Sequence, residues 1–89
     1  MKRVTFFTKP ECKLCHGALF VIERVRRRLP FDLEIVDISA NGNECWHEAY
    51  KHDIPVIHID GGEVFRHRVD ERQFAELLAD GPNHTEKQE

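Results

Sequence analysis

Short apolar runs alternate along the chain with longer stretches in which apolar residues recur every three to four positions. Val4-Thr5-Phe6-Phe7 is the first run and reads as a strand. Leu14, Ala18, Val21, Ile22, Val25 and Leu29 then follow at helical spacing, which predicts a helix from about Lys13 to Arg28, stopped by Pro30. Phe31 to Ile38 reads as the second strand, with Leu33, Ile35, Val36 and Ile38 as its core residues. Asn41-Gly42-Asn43 is turn chemistry, and Glu44 to Tyr50 is a short helix. Val56 to Ile59 is the third strand, Asp60-Gly61-Gly62 a tight hairpin turn, and Glu63 to Arg66 the fourth strand. Asp70 is placed to cap a last helix with Phe74, Leu77 and Leu78 on its inner face, ended by Gly81-Pro82. Asn83 to Glu89 is polar and expected to be disordered.

The order is strand, helix, strand, helix, strand, strand, helix. Alternation in the first half calls for parallel pairing with a right-handed crossover, and the tight turn calls for an antiparallel hairpin at the end. The expectation is an α/β domain over residues 1–80, a mixed four-stranded sheet with helices on both faces, followed by a polar tail over 81–89. A chain of 89 residues with 40% hydrophobic and 33% charged residues supports one modest core and a solvated surface. A net charge of −3 is no footprint for nucleic acid. The basic cluster Arg24, Arg26, Arg27 and Arg28 falls on the last turns of the first long helix, where cations complement the dipole; docking of an acidic partner is the alternative. No stretch has the length and apolarity of a membrane span, and Met1-Lys2-Arg3 does not open a signal peptide, so a cytoplasmic protein is expected.

Three cysteines change this picture. Cys12-Lys13-Leu14-Cys15 sits where the first strand ends and the first helix begins. Unpaired N–H groups and the positive end of the helix dipole favour an anion there, and so the thiolate of Cys12. Two cysteines separated by two residues can close into a disulfide within one turn. Together these features predict reversible thiol–disulfide chemistry.

A redox cysteine pair followed by this element order resembles the thioredoxin-like fold and, within it, the glutaredoxin family. The resemblance covers residues 3 to about 79. Thr8-Lys9-Pro10-Glu11-Cys12-Lys13-Leu14-Cys15 is similar to the glutaredoxin active-site segment, Ile54-Pro55-Val56 to the region where a cis-proline stands beside the cysteines, and Asp60-Gly61-Gly62-Glu63-Val64 to the hairpin that follows. Three features depart from that pattern: Lys13-Leu14 in place of Pro-Tyr, Ile54 before the proline, and Arg66-His67 in place of the glycine pair that admits glutathione. With these, the chain resembles the smaller glutaredoxin-like (DUF836-type) group. Asp70 stands at about the position of the family's aspartate.

The resemblance implies an oxidoreductase with Cys12 as nucleophile and Cys15, one turn deeper, as resolving thiol. Its substrate would be a disulfide-containing protein or small molecule. It would hold no bound cofactor or metal, and its electrons would come from glutathione or a thioredoxin-reductase-type donor. Lys9, Lys13, Ile54, Pro55 and Asp70 are the substrate-binding residues so implied, a cis Ile54–Pro55 bond turning the Ile54 backbone outward for strand-like pairing. Lys9 and Lys13 would also stabilise the thiolate, or are ordinary solvated lysines. Arg66 or Arg68 is a candidate for binding a substrate carboxylate, with a charge-protected edge strand as the alternative. Cys45 reads as a buried small apolar residue beside Trp46, or as a regulatory thiol. Trp46 and Tyr50 read as core or lid residues. Two other functions use the same residues: a zinc or iron–sulfur carrier built on Cys12, Cys15 and a histidine, and a non-catalytic binding module. His16 completes a haem-attachment pattern after the cysteines, but haem attachment normally requires export, and His16 is expected on the helix surface.

Overall fold

A computed structural model describes residues 1–79 of the chain. Its elements are β1 (Arg3–Thr8), α1 (Lys13–Arg28), β2 (Asp32–Asp37), α2 (Glu44–Tyr50), β3 (Val56–Ile59), β4 (Gly62–Arg66) and α3 (Glu71–Ala79). The strands form one sheet in the order β2-β1-β3-β4. β1 is parallel to β2 and antiparallel to β3, and β4 is antiparallel to β3. The β1–α1–β2 crossover and the terminal hairpin thus stand as the sequence pattern requires. Gly81-Pro82 and the polar segment 81–89 lie outside the described residues. Among the described residues no helix is long and apolar enough to cross a membrane.

Register divides the side chains between two faces. Phe6 pairs with Ile57, and Ile57 with Phe65. Phe65 and Phe31 both meet the ring of Phe74 on α3, and α3 packs against α1, so this face is covered by α1 and α3. Phe7, one residue on, points the other way and meets Trp46 and Tyr50 of α2. Helices therefore cover both faces. The core is one cluster, with Val4, Ile22, Val25, Val56, Ile57 and Phe74 removed from solvent.

Local chemistry fixes the ends of the elements. Asp60 and Gly61 both have positive φ, 51° and 86°, the signature of a two-residue hairpin turn whose twist matches the strands. Asp70 accepts a hydrogen bond from the N–H of Gln73 at 3.0 Å and so caps α3. Of the basic cluster, Arg24 and Arg28 pair with Glu71 of α3, and Arg26 donates to the carbonyl of Phe31 beyond the end of α1. These arginines tie α1 to its neighbours.

Three apolar positions differ from the sequence pattern. Ile35 is 51% exposed because β2 is an edge strand with β1 as its one neighbour. Leu14 is 63% exposed because it stands about 100° around α1 from Cys15, outside the buried stripe of Cys15, Ala18, Ile22 and Val25. Leu77 is exposed, the inner face of α3 being Phe74 with Ala75 and Leu78.

Candidate active site

The parallel crossover brings the C-terminal end of β1 and the N-terminus of α1 to one end of the sheet. Antiparallel pairing of Phe7 with Val56 brings the start of β3 to the same end. Cys12 is the N-cap of α1, with extended backbone, and the N–H of Cys15 donates to its Sγ at 3.2 Å. The structure joins Cys12 and Cys15 as a disulfide with their Cα atoms 5.2 Å apart. The two are unequal: Cys12 is partly exposed, whereas Cys15 is 1% exposed and belongs to the core. An incoming sulfur can reach Cys12 first.

The Ile54–Pro55 bond is cis, as the resemblance implies. Ile54 and Pro55 are buried, yet among the described residues neither the N–H nor the carbonyl of Ile54 has a backbone partner. Two unpaired backbone groups therefore stand at the start of a strand, at the same end of the sheet as the cysteines.

The third wall is the segment between β4 and α3. The N–H of His67 donates to the carbonyls of Pro55, at 2.8 Å, and Asp53, at 3.2 Å, which fastens this segment to the cis-proline turn. His67 has φ +73°, in the left-handed region that glycine adopts freely, so its backbone suits the glycine that the family pattern carries there. Arg68 and Val69 then face Lys13 and Leu14 of α1 across a groove of about 300 Å³. Two larger hollows, one lined by Met1, Lys2 and Leu29 and the other by Arg28, Leu29 and Ala75, lie at the opposite end of α1, remote from the cysteines.

The remaining expected site residues fall into place around this frame. Lys9 and Lys13 are exposed and form no ion pair among the described residues. Lys13 lines the groove. Asp70 commits one carboxylate oxygen to the cap of α3. His16 is exposed on α1. Arg66 already has carboxylate partners in its own chain: its Nε and Nη2 donate to Glu63 at 2.6 and 3.0 Å, and its Nη1 to Asp53 at 2.7 Å. The cause is register, since Arg66 pairs with Val56 and so lies on the α2 side, over the ring of Tyr50. Cys45 is exposed rather than buried, because the short α2 turns Tyr50 and not Cys45 toward the sheet. Among the described residues no three His, Cys, Asp or Glu side chains converge as metal ligands.

Behind the site, on the α2 face, Phe7, Trp46, Tyr50 and His58 pack ring to ring. The Tyr50 hydroxyl and His58 Nε2 are 3.0 Å apart. Burial pushes the Tyr50 phenol up, with Glu63 adding to the rise and Arg66 opposing it. Burial pulls His58 down, with Glu63 opposing. In both groups the surroundings favour the neutral form. The sequence gives no signal for this pair, which forms only because register sets His58 opposite Thr5 and beside Phe7.

The model of the glutaredoxin-like domain (DUF836) family matches residues 3–79. A glutaredoxin-like protein of Dictyostelium discoideum is 38% identical over 72 residues, covering 76% of this chain and 67% of that relative. Among solved structures, a Nitrosomonas europaea protein determined by NMR superposes with a TM-score of 0.75 at 20% identity, over 88% of this chain and 92% of that one. Oxidised thioredoxin O1 of Arabidopsis thaliana superposes with a TM-score of 0.64 at 20% identity, over 88% of this chain and 75% of that one. These likenesses show a thioredoxin-like fold.

Proposed function

The chain belongs to the glutaredoxin-like domain (DUF836) family, and on that premise we propose that it is a thiol–disulfide oxidoreductase working through Cys12 and Cys15. The observation that carries this reading is the unequal exposure of a disulfide-paired Cys12 and Cys15, with Cys12 at the N-cap of α1. In the reduced protein the Cys12 thiolate, favoured by the helix N-terminus and by the N–H of Cys15, attacks one sulfur of a substrate disulfide. A mixed disulfide forms on Cys12 and the other substrate sulfur leaves as a thiolate, which takes a proton. Cys15, having lost its own proton, then attacks the Cys12 sulfur. The second substrate thiol departs, and the Cys12–Cys15 disulfide holds the oxidising equivalents. Two electrons have passed from the pair to the substrate. Two molecules of glutathione, or one dithiol donor of the thioredoxin-reductase type, return them.

Lys9 and Lys13 stabilise the thiolate through space and meet anionic groups on the substrate. The free backbone groups of Ile54 pair with the substrate backbone, Pro55 holds them in that attitude, and the second oxygen of Asp70 accepts from a substrate N–H. A reducing compartment such as the cytoplasm suits a pair that must be regenerated after each turnover.

A redox titration against reduced and oxidised glutathione, with thiols mapped by mass spectrometry, tests the proposal. A reversible two-electron Cys12–Cys15 couple is expected, and thiols inert across the titration would sink the reading. The roles are tested separately. Cys15→Ser should accumulate mixed disulfides on Cys12 and Cys12→Ser should accumulate none, whereas the opposite pattern would exchange the two assignments.

A further inference from the structure

α1 carries an unusual outer face beside the cysteines. Leu14, between them, is 63% exposed. Leu14, Gly17 and Val21 lie along one side of the helix at spacings of three and four residues. With Val69 from the segment before α3 they form the apolar floor of the groove. Gly17 is the informative member. Glycine in a helix interior weakens the helix, and such a position normally signals a close approach or a special backbone. Gly17 has neither: its φ is not positive, and a Cβ built there would meet nothing within 4 Å. What the missing side chain does provide is an open groove.

The rim is cationic. Lys13 and Arg68 line the groove, and neither pairs with a carboxylate among the described residues. Arg24, Arg28 and Arg66, by contrast, are all held by Glu71, Glu63 or Asp53. On a chain of net charge −3, this is a local positive edge around an apolar floor, next to the reactive sulfur.

We propose that this groove docks the polypeptide that carries the substrate disulfide, taking a large apolar side chain over Gly17 and an acidic side chain against Lys13 and Arg68. The occupant is a protein segment rather than glutathione, because glutathione has no apolar side chain to cover Leu14, Val21 and Val69. The inference rests on the dithiol reading for what happens to the docked segment, but not for docking itself.

The test uses peptides whose single cysteine is joined by a disulfide to a chromogenic thiol and flanked by leucine and aspartate, by leucine and lysine, or by glycine and serine. For each variant, kcat/KM is divided by that variant's own value for hydroxyethyl disulfide. The wild-type chain should favour the leucine–aspartate peptide over both others by about tenfold or more. Gly17→Gln, a better helix former that fills the groove, should lose the leucine preference while its melting temperature stays at or above wild type. Gly17→Ala should keep the preference. Arg68→Glu should move it toward the leucine–lysine peptide. Equal reduction of all three peptides by wild type, or a Gly17→Gln ratio equal to wild type, would overturn the groove. Binding of the same peptides, with serine for cysteine, to the Cys12→Ser/Cys15→Ser chain separates the two readings. If wild type reduces nothing while the double variant still binds leucine–aspartate about tenfold more tightly, the dithiol reading falls and the groove stands. If the double variant binds without preference, the groove falls.

Discussion

His58 gains its character from its surroundings. Its ring lies 4.7 Å from Phe7 and its Nε2 3.0 Å from the Tyr50 hydroxyl, so protonation would place a charge among aromatic rings. Burial lowers its pKa from the ordinary 6.5, with Glu63 opposing. In the window below 6.5 the unfolded chain therefore binds more protons at this site than the folded one, and stability falls as pH drops through it. The urea midpoint should decline from about pH 7 to pH 5, and His58→Gln should decline less over the same range. Parallel profiles would remove His58 as a cause. Glu63 and Glu71, both held below the usual carboxylate range by arginine partners, act at lower pH and leave this window clear. Residue identity alone does not reveal such an environment. Cys45 teaches the same lesson from the other side: cysteines tend to be buried, but this one stands about 140° around a short helix from Tyr50, the residue that meets the core. Helical geometry outweighed residue type.

Among the elements, periodicity read α1 from end to end, because sixteen residues with a buried stripe, a cysteine N-cap and a following Pro30 leave little freedom. Strand order was harder to read, because pairing joins residues far apart in sequence. Leu33, Ile35 and Val36 look equally apolar, and nothing local says that β2 lies at the edge with Ile35 half in solvent. Two substitutions measure this difference between elements. Ile35→Thr should change the unfolding free energy by no more than about 0.5 kcal/mol. Phe74→Ala should cost about 3–5 kcal/mol, since its ring is fully buried between Phe31 and Phe65 and fastens α3 to the sheet. Urea unfolding of both variants is the check. A large loss at Ile35 would mean that the exposed face of β2 is covered in solution. The active-site wall was legible in type but not in direction: the Arg66-His67 substitution was visible, while the turn of Arg66 onto Asp53 and Glu63 followed from the register of β4.

For the molecule as a whole, the cysteine pair and the fold are linked through a thermodynamic cycle. The disulfide spans a sequence separation of three, and closing so short a loop stabilises the oxidised chain by roughly 2 kcal/mol on chain-entropy grounds. The reduced chain has its own compensation. A thiolate at the N-cap of α1 gains about 0.3–1 kcal/mol from the helix terminus, and the N–H of Cys15 is already aimed at that sulfur. The oxidised form should therefore exceed the reduced form at neutral pH by less than the roughly 2 kcal/mol of loop closure alone. Urea melts of both forms, in a Cys45→Ser background that prevents disulfide exchange in the unfolded state, measure the difference. An excess of about 2 kcal/mol or more would show that the helix terminus does nothing for the reduced pair. The same cycle requires the midpoint of the folded pair to differ from that of the unfolded chain by about 30 mV for each 1.4 kcal/mol of that difference. Agreement between melts and titrations would establish that both redox forms unfold in a single cooperative step, because the cycle closes however the fold responds to reduction. A larger displacement in the titration would mean that one form melts through a partly unfolded state, and the segment from His67 to Val69, fastened to Pro55 and facing Leu14 across the groove, is where to look for the part that opens first.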